Sequence, residues 1–458
     1  MKSIVFSLCL YFLTGTIFSQ SERTYYDYKI DILEYNLKFD FYKNYEKPFP
    51  KKFKASAEIK LVLLDSVDNF FLHSDSKSLN ILAVHGDIES FIHLENILEL
   101  KLKQGKGKGD TVQIIVFYKH LDVRDYAFFV RDGFVFTNFA PEGARKVYPS
   151  KDHPSDKALF DITVRTPPGI FLGSNGYLAD SSIVNDTLIY NWKTIYPVAT
   201  YLSVITSYSE YNLNILITPP DGINDTIETR FYYQSSESGR LINNAIYNAP
   251  RIMKFFSEML GRYPFEKNGY ATLNHDFVYG GMENQTLISL CQGCWSDVLM
   301  VHELAHSWFG NMISPKTWAD VWLNESFADY SEALWFEYNS GKDFYIWDIM
   351  KKKETYLAAR QKFPIFNNSW KYRTPSTDSL YNGSIIYAKG ACVLHMLRSE
   401  VGDDNFFNLL NRYTNDPGLM YGNISTEEFI EIANEVTGMD LNQFFKQWLE
   451  YTCLLYTS

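Results

Sequence analysis

Cysteine is scarce here, with five in 458 residues: Cys9, Cys291, Cys294, Cys392 and Cys453. The one C-x-x-C, Cys291 to Cys294, lacks the second pair that a zinc ribbon needs. A local disulfide is the better expectation in an exported chain, with buried thiols as the alternative, and the pair is given no catalytic role. Beyond the N-terminus no apolar run is long enough to cross a bilayer. There is no internal repeat and no long low-complexity tract. Positive charge is in deficit, with 43 Lys and Arg against 54 Asp and Glu and a net charge of −11. Phosphate backbones repel such a chain, which argues against nucleic acid as a partner.

What is present begins with a short leader. Lys2 is the only charged residue before Glu22 and Arg23, and residues 4–18 are apolar. That stretch is short for a membrane span, and small residues precede a cut near Ser19 or Gln20, so residues 1–20 read as a signal peptide. An exported chain, periplasmic or secreted and without stable membrane insertion, is expected. Residues 453–458 read CLLYTS. That string matches a translated sequencing-library adapter, so the natural chain is expected to continue past Thr452.

The length allows two or three domains. Aromatics reach 17%, which favours substantial β structure. Residues 28–41, 53–64, 97–102, 111–118, 159–166 and 188–192 show alternating or β-rich runs, and clusters such as 104–110 separate them. Short strands with turn signals suggest a sandwich or saddle-like β domain over residues 21–212. The texture changes near Pro219-Pro220-Asp221-Gly222. After Phe231 helical spacing takes over, with a helix expected over 235–260 and Gly261 as its stop. A short β-like stretch, 270–273, interrupts the helices. An α+β chain follows, with a mostly helical domain over 213–452.

His302-Glu303-Leu304-Ala305-His306 is an H-E-x-x-H motif. Ser296 is a good N-cap, Asp297 suits a first turn, and residues 298–301 continue an apolar helix expected to end at Gly310 or Asn311. Residues four apart share a helix face, so both imidazoles reach one ion. A catalytic zinc takes three protein ligands and keeps one open position. Eighteen residues separate His306 from Glu325. A turn around Pro315 and a second helix would return that carboxylate to the histidines. The His/His/Glu set points to one Zn2+ per chain. Glu303 is placed to take the proton of the attacking water. Asp329 and Glu332, one and two turns beyond Glu325, are candidates to orient the ligands.

These residues resemble the aminopeptidase N family of gluzincin metallopeptidases, over about 28–449. The matching motifs are H-E-x-x-H, eighteen residues, then Asn324-Glu325-Ser326-Phe327-Ala328; and the G-x-M-E-N signature, Gly280-Gly281-Met282-Glu283-Asn284. The resemblance implies a saddle-like β domain followed by a thermolysin-like catalytic domain. It implies that Glu283 binds the substrate α-amine and that Gly281 and Met282 align the peptide like an added strand. It also implies that Tyr387, in Tyr387-Ala388-Lys389-Gly390, donates to the developing oxyanion. Ala144-Arg145, Pro149 to Pro154 and Lys157-Ala158 are similar to a structural block of that family. Two features depart from it. Five residues before Arg145, where the family usually has Glu or Gln, stands Ala140. The chain also stops about where the family's catalytic domain ends, so its C-terminal domains are expected to be missing.

The function expected is removal of N-terminal residues from peptides by zinc-activated water, with Glu303 as base. Ala140 keeps open an endopeptidase or oligopeptidase with relaxed recognition of the N-terminus. A catalytically inactive peptide-binding module is the third reading, against which the complete set of chemical groups argues.

Overall fold

The computed structural model describes residues 29–218, 226–237, 239–360 and 362–452. The expected signal peptide with Cys9, the texture change at 219–222 and the terminal string with Cys453 lie outside the described residues.

Alternation builds the N-terminal β unit. In the strand Ile30–Asp40 the side chains of Ile30, Ile32, Tyr35, Leu37 and Phe39 are buried, and a bulge between Ile32 and Glu34 keeps the apolar face inward. This strand pairs antiparallel with Lys54–Leu63 and parallel with Lys157–Thr166. The large sheet runs in the order Tyr177–Val184, Thr187–Lys193, Lys157–Thr166, Ile30–Asp40, Lys54–Leu63, Thr111–His120 and Leu79–Gly86. A three-stranded sheet (Val67–His73, Ile97–Lys106, Ile88–Leu94) and a four-stranded one (Phe171–Ser174, Ile205–Tyr208, Phe134–Thr137, Phe128–Arg131) complete it. All six β-rich runs read from the sequence lie in these sheets. The expected spacer at 104–110 starts too early, because pairing of Lys106 with Val67 carries the strand on.

The strand Tyr211–Thr218 begins a second unit. Its sheet runs Tyr211–Thr218, Ile227–Gln234, Lys267–Thr272, Ile288–Leu290 and, at the edge, Gly281–Met282. Around it stand α1 (Arg240–Leu260), α2 (Asp297–Ala305), α3 (Trp322–Ser340) and α4 (Lys342–Leu357), with further helices at Gly390–Val401, Asp403–Thr414, Thr426–Thr437 and Asn442–Glu450. The helix expected from residue 235 starts only at Arg240. Residues Ser235–Glu237 form a 3-10 turn instead. The reason is the Glu237 carboxylate, which accepts hydrogen bonds from the backbone N–H of Gln234 and Gly293, the Thr272 hydroxyl and the Trp295 indole. Gly261 ends α1 as expected. Among the described residues, no helix is long and apolar enough to cross a membrane.

Candidate metal centre

The Ser296 hydroxyl caps α2 by accepting from the Leu299 N–H at 3.3 Å. The helix stops at Ala305, short of the expected Gly310 or Asn311. His306 already sits at its cap, and a tight reversal follows in which the N–H groups of Asn311, Met312 and Ile313 bond back five residues. Gly310 permits this reversal. Its φ of +120° favours glycine, and a Cβ there would lie 2.8 Å from the Asn324 amide nitrogen. The short helix keeps His302 and His306 on one face, their ring centroids 5.0 Å apart.

Glu325 lies in the first turn of α3 and faces both rings. Its Oε2 is 3.6 Å from His302 Nε2 and 3.3 Å from His306 Nε2. The edge of a tetrahedron with bonds of about 2.0–2.1 Å is about 3.3–3.4 Å, so these separations suit zinc ligands. Behind the rings, His302 Nδ1 donates to Glu332 Oε1 at 3.0 Å, and His306 Nδ1 donates to the Phe309 carbonyl at 3.0 Å. Both rings therefore turn Nε2 toward Glu325, the nitrogen that would face a metal once it displaces any proton there. All three side chains are buried, with their ligand atoms within 4.8 Å of one another. The donor set fits zinc.

The site is crowded with carboxyl groups. Burial opposes a charge on His302, yet Glu325 and Glu332 hold its pKa well above the ordinary value. Burial likewise opposes ionisation of Glu325, but both histidines outweigh it and hold the carboxyl low. Glu303 is pushed up to about 8 by burial, with Glu283 and Glu325 adding to the rise against the two histidines. Glu283 is raised too, chiefly by burial. One oxygen of each, Glu283 Oε1 and Glu303 Oε2, is buried with no hydrogen-bond partner among the described residues. Glu283, Glu303 and His306 also come within 4.8 Å of one another, so the two carboxylates share one cleft with the histidines.

Glu283 follows the edge strand Gly281–Met282. Its carbonyl accepts from Asn311 Nδ2 at 2.8 Å, which ties the edge strand to the reversal after α2. A Cβ on Gly281 would lie 2.0 Å from Glu303 Oε1, so the missing side chain makes room for that carboxylate. The Tyr387 ring lies parallel to the His302 imidazole at 5.8 Å. Burial, then Glu325 and Glu283, raise its phenol well above the usual range, so it stays a donor. The metal, catalytic and amine-binding residues singled out from the sequence thus lie around one cleft; the remaining position singled out is Ala140. That residue is half-buried, and the neighbouring Glu142 is engaged by Arg145 at 3.3 Å and by the Thr374 hydroxyl.

Of the two candidates for orienting ligands, Glu332 touches His302, whereas Asp329 contacts Lys352 of α4 at 3.0 Å. Asp329, Glu332 and His302 form a further group close enough for a cation, but the Lys352 ammonium sits on its two carboxylates. One residue of the cleft was not read from the sequence. Tyr381 is half-buried, with its hydroxyl buried and unpartnered among the described residues, in the field of Glu283 and Glu325. Its only signal was its place six residues before Tyr387. Lys157, from the β unit, donates to the carbonyls of Asn311 (2.7 Å), Met312 (2.9 Å) and Gly422 (3.3 Å) and so clamps the reversal. In the same block Arg145 pairs with Asp152 at 2.9 Å and Lys151 with Asp156 at 2.9 Å. Cys291 and Cys294 are disulfide-bonded beside the edge strand, where the Cys291 N–H donates to the Gly280 carbonyl at 2.9 Å.

Residues 31–202 match the peptidase M1 N-terminal domain and residues 244–448 the peptidase family M1 domain. Aminopeptidase N of Streptomyces lividans is 27% identical over 334 residues, 69% of this chain and 38% of that protein. Aminopeptidase N of Rattus norvegicus is 28% identical over 299 residues, 60% of this chain and 30% of that protein. The leucyl aminopeptidase of Saccharolobus solfataricus is 25% identical, covering 92% of this chain and 53% of its own length. The chain thus spans about a third to a half of the length of these relatives. The solved M1 zinc metallopeptidase of Deinococcus radiodurans superposes with a TM-score of 0.80 at 21% identity, covering 94% of this chain and 95% of that one. That likeness bears on the fold: a β unit followed by a helical one.

Proposed function

The chain belongs to peptidase family M1, and from that premise we propose that it is a zinc aminopeptidase, with His302, His306 and Glu325 holding the metal. The observation that carries the reading is Glu283. Its buried, unpartnered carboxylate oxygen shares the cleft with the metal ligands, at the end of an edge strand. A charge-assisted pair with an ammonium is strong in so shielded a place. The free edge of Gly281–Met282 would take the peptide backbone as an added strand. Together they measure a short distance from a charged N-terminus to the scissile bond.

When bound, zinc supplies a Lewis acid that lowers the pKa of a coordinated water to about 7 and polarises the carbonyl under attack. Glu303 accepts the proton of the attacking water on its free oxygen and passes it to the leaving amine. Tyr387 donates its phenolic hydrogen where the oxyanion develops. Glu332 and the Phe309 carbonyl hold the two imidazoles in register.

We place the boundary between the units near residue 212, supported by the start of the second sheet at Tyr211. Export rests on residues 1–20, and the Cys291–Cys294 disulfide fits an oxidising compartment. One observation favours a second reading. Ala140 offers no carboxylate to a substrate amine and Glu142 is already engaged, so recognition of the N-terminus falls mainly on Glu283. That leaves room for internal cleavage.

The test is one short peptide in two forms, free and N-acetylated, incubated with the zinc-loaded protein and read by mass, with Glu303→Ala alongside to exclude contaminating proteases. Loss of single residues from the free form alone is expected. Internal cuts in both forms would replace this reading by an endopeptidase. Zinc binding without turnover of any peptide would leave a binding module.

A further inference from the structure

We propose that Lys352 is a positioning residue for the metal site, acting on His302 through Glu332. The inference rests on the zinc reading above.

Lys352 comes from α4, which supplies none of the groups assigned to catalysis. Its side chain is 8% exposed, and its ammonium is ringed by three carboxylates: Glu332 at 2.7 Å, Asp329 at 3.0 Å and Asp348 at 3.3 Å. The two oxygens of Glu332 divide their work. Oε2 receives the ammonium, and Oε1 accepts from His302 Nδ1 at 3.0 Å. The path from α4 to the metal ligand is therefore two contacts long, Lys352 to Glu332 to His302. A carboxylate held at one oxygen by a buried cation cannot rotate freely, so its other oxygen stays aimed at the Nδ1–H. That hydrogen bond sets both the plane of the imidazole and the direction of its Nε2 lone pair.

The ammonium also holds together charges that would otherwise part. Asp329, Glu332 and Asp348 converge on one buried point. Without the cation they repel one another, and Glu332 would turn away. A rotated Glu332 no longer anchors His302. Lys352 thereby couples the packing of α4 on α3 to the geometry of the zinc ligands.

The experiment is a double-variant cycle on zinc affinity, measured on the whole chain by competition with a chromogenic chelator. The proteins are wild type, Lys352→Gln, Glu332→Gln and the double variant, with Lys352→Arg as the conservative replacement. Each single Gln variant is expected to weaken zinc binding about 10–100-fold. The double variant is expected to be no weaker than Glu332→Gln alone, because the lysine acts through that carboxylate. Lys352→Arg is expected to recover most of the affinity. Additive losses in the double variant, or wild-type affinity in Lys352→Gln, overturn the proposal. Should Lys352→Gln not fold, the same comparison is made with Asp329→Asn added, which removes one buried carboxylate with the cation. Failure of both to fold makes the lysine a structural requirement and also overturns the proposal. A wild-type chain that binds no zinc fails the metallopeptidase reading itself. Wild-type binding with additive losses fails only the role of Lys352.

Discussion

Gly281→Ala adds one methyl group at the point where the substrate edge strand meets the proposed base. The strand residue is not in the left-handed region, so alanine fits its backbone. The three atoms nearest the new Cβ all belong to Glu303, whose Oε1, Cδ and Cγ would stand 2.0, 2.4 and 2.8 Å from it. Ordinary contact begins near 3.4 Å, so the carboxylate must retreat by about 1.4 Å. A misplacement of about 1 Å costs on the order of 100-fold in rate. The obstacle is the flexible end of a side chain, so folding should survive. The zinc ligands are elsewhere, so metal affinity should survive too. The assay is hydrolysis of an unblocked short peptide, with zinc content and the thermal midpoint measured on the same preparation. The expected result is a fall in kcat of about 100-fold or more with zinc and stability retained. In a Glu303→Ala background the same change should have no further effect. Retention of kcat within about threefold, a barrier change under about 0.7 kcal/mol, would refute the claim that Gly281 makes room for the working base.

Tyr387→Phe should lower kcat by about 10²–10³ with KM and zinc affinity unchanged, as for loss of one oxyanion donor; an equal loss of zinc would mean that the ring packs the site rather than serving the reaction. Ala140→Glu should lower KM for peptides with a free N-terminus, by about 1.5–3 kcal/mol at most; an unchanged KM would remove the idea that a second amine contact is missing. The β unit should carry an acid-sensitive term. His153 is held down at about 4, first by burial and then by Lys151, and its Nδ1 accepts from the Ser155 N–H. The imidazole is neutral in both states above pH 6.5, where its contribution is fully present. As pH falls from 6.5 to about 4 the unfolded chain binds the proton first, so stability is lost, by about 3 kcal/mol at full extent. His153→Gln should flatten the dependence of the urea midpoint on pH over that window, and an unchanged slope would contradict this.

The candidate metal site was readable because its parts are local. His302 and His306 follow from a four-residue helical spacing, and Ser296 from the chemistry of a helix N-terminus. Glu325 needed only a count of residues and a second helical pattern. The strands at 30–40 and 54–63 were legible for the same reason: a period of two writes the buried face directly into the sequence. Glu283 and Tyr387 had no such signature. A glutamate after a Gly-Gly turn and one tyrosine among 33 stood out by family resemblance alone.

Local pattern alone determined, then, which helix faces carry the candidate ligands, which strands bury which side, and how many residues separate the two halves of the candidate site. It could not say which partner each ligand meets. Asp329 and Glu332 have equivalent claims by spacing, and only the docking of α4 gives His302 to Glu332 and Lys352 to both acids. It could not end α2 at Ala305, because that reversal depends on Lys157, remote in sequence, gathering its carbonyls. It did not reveal Tyr381, whose place beside Glu283 and Glu325 exists only once three distant segments meet. A helical or strand period records each residue's relation to its near neighbours in the chain. Contacts between segments tens to hundreds of residues apart are set by packing, and packing leaves no period to read.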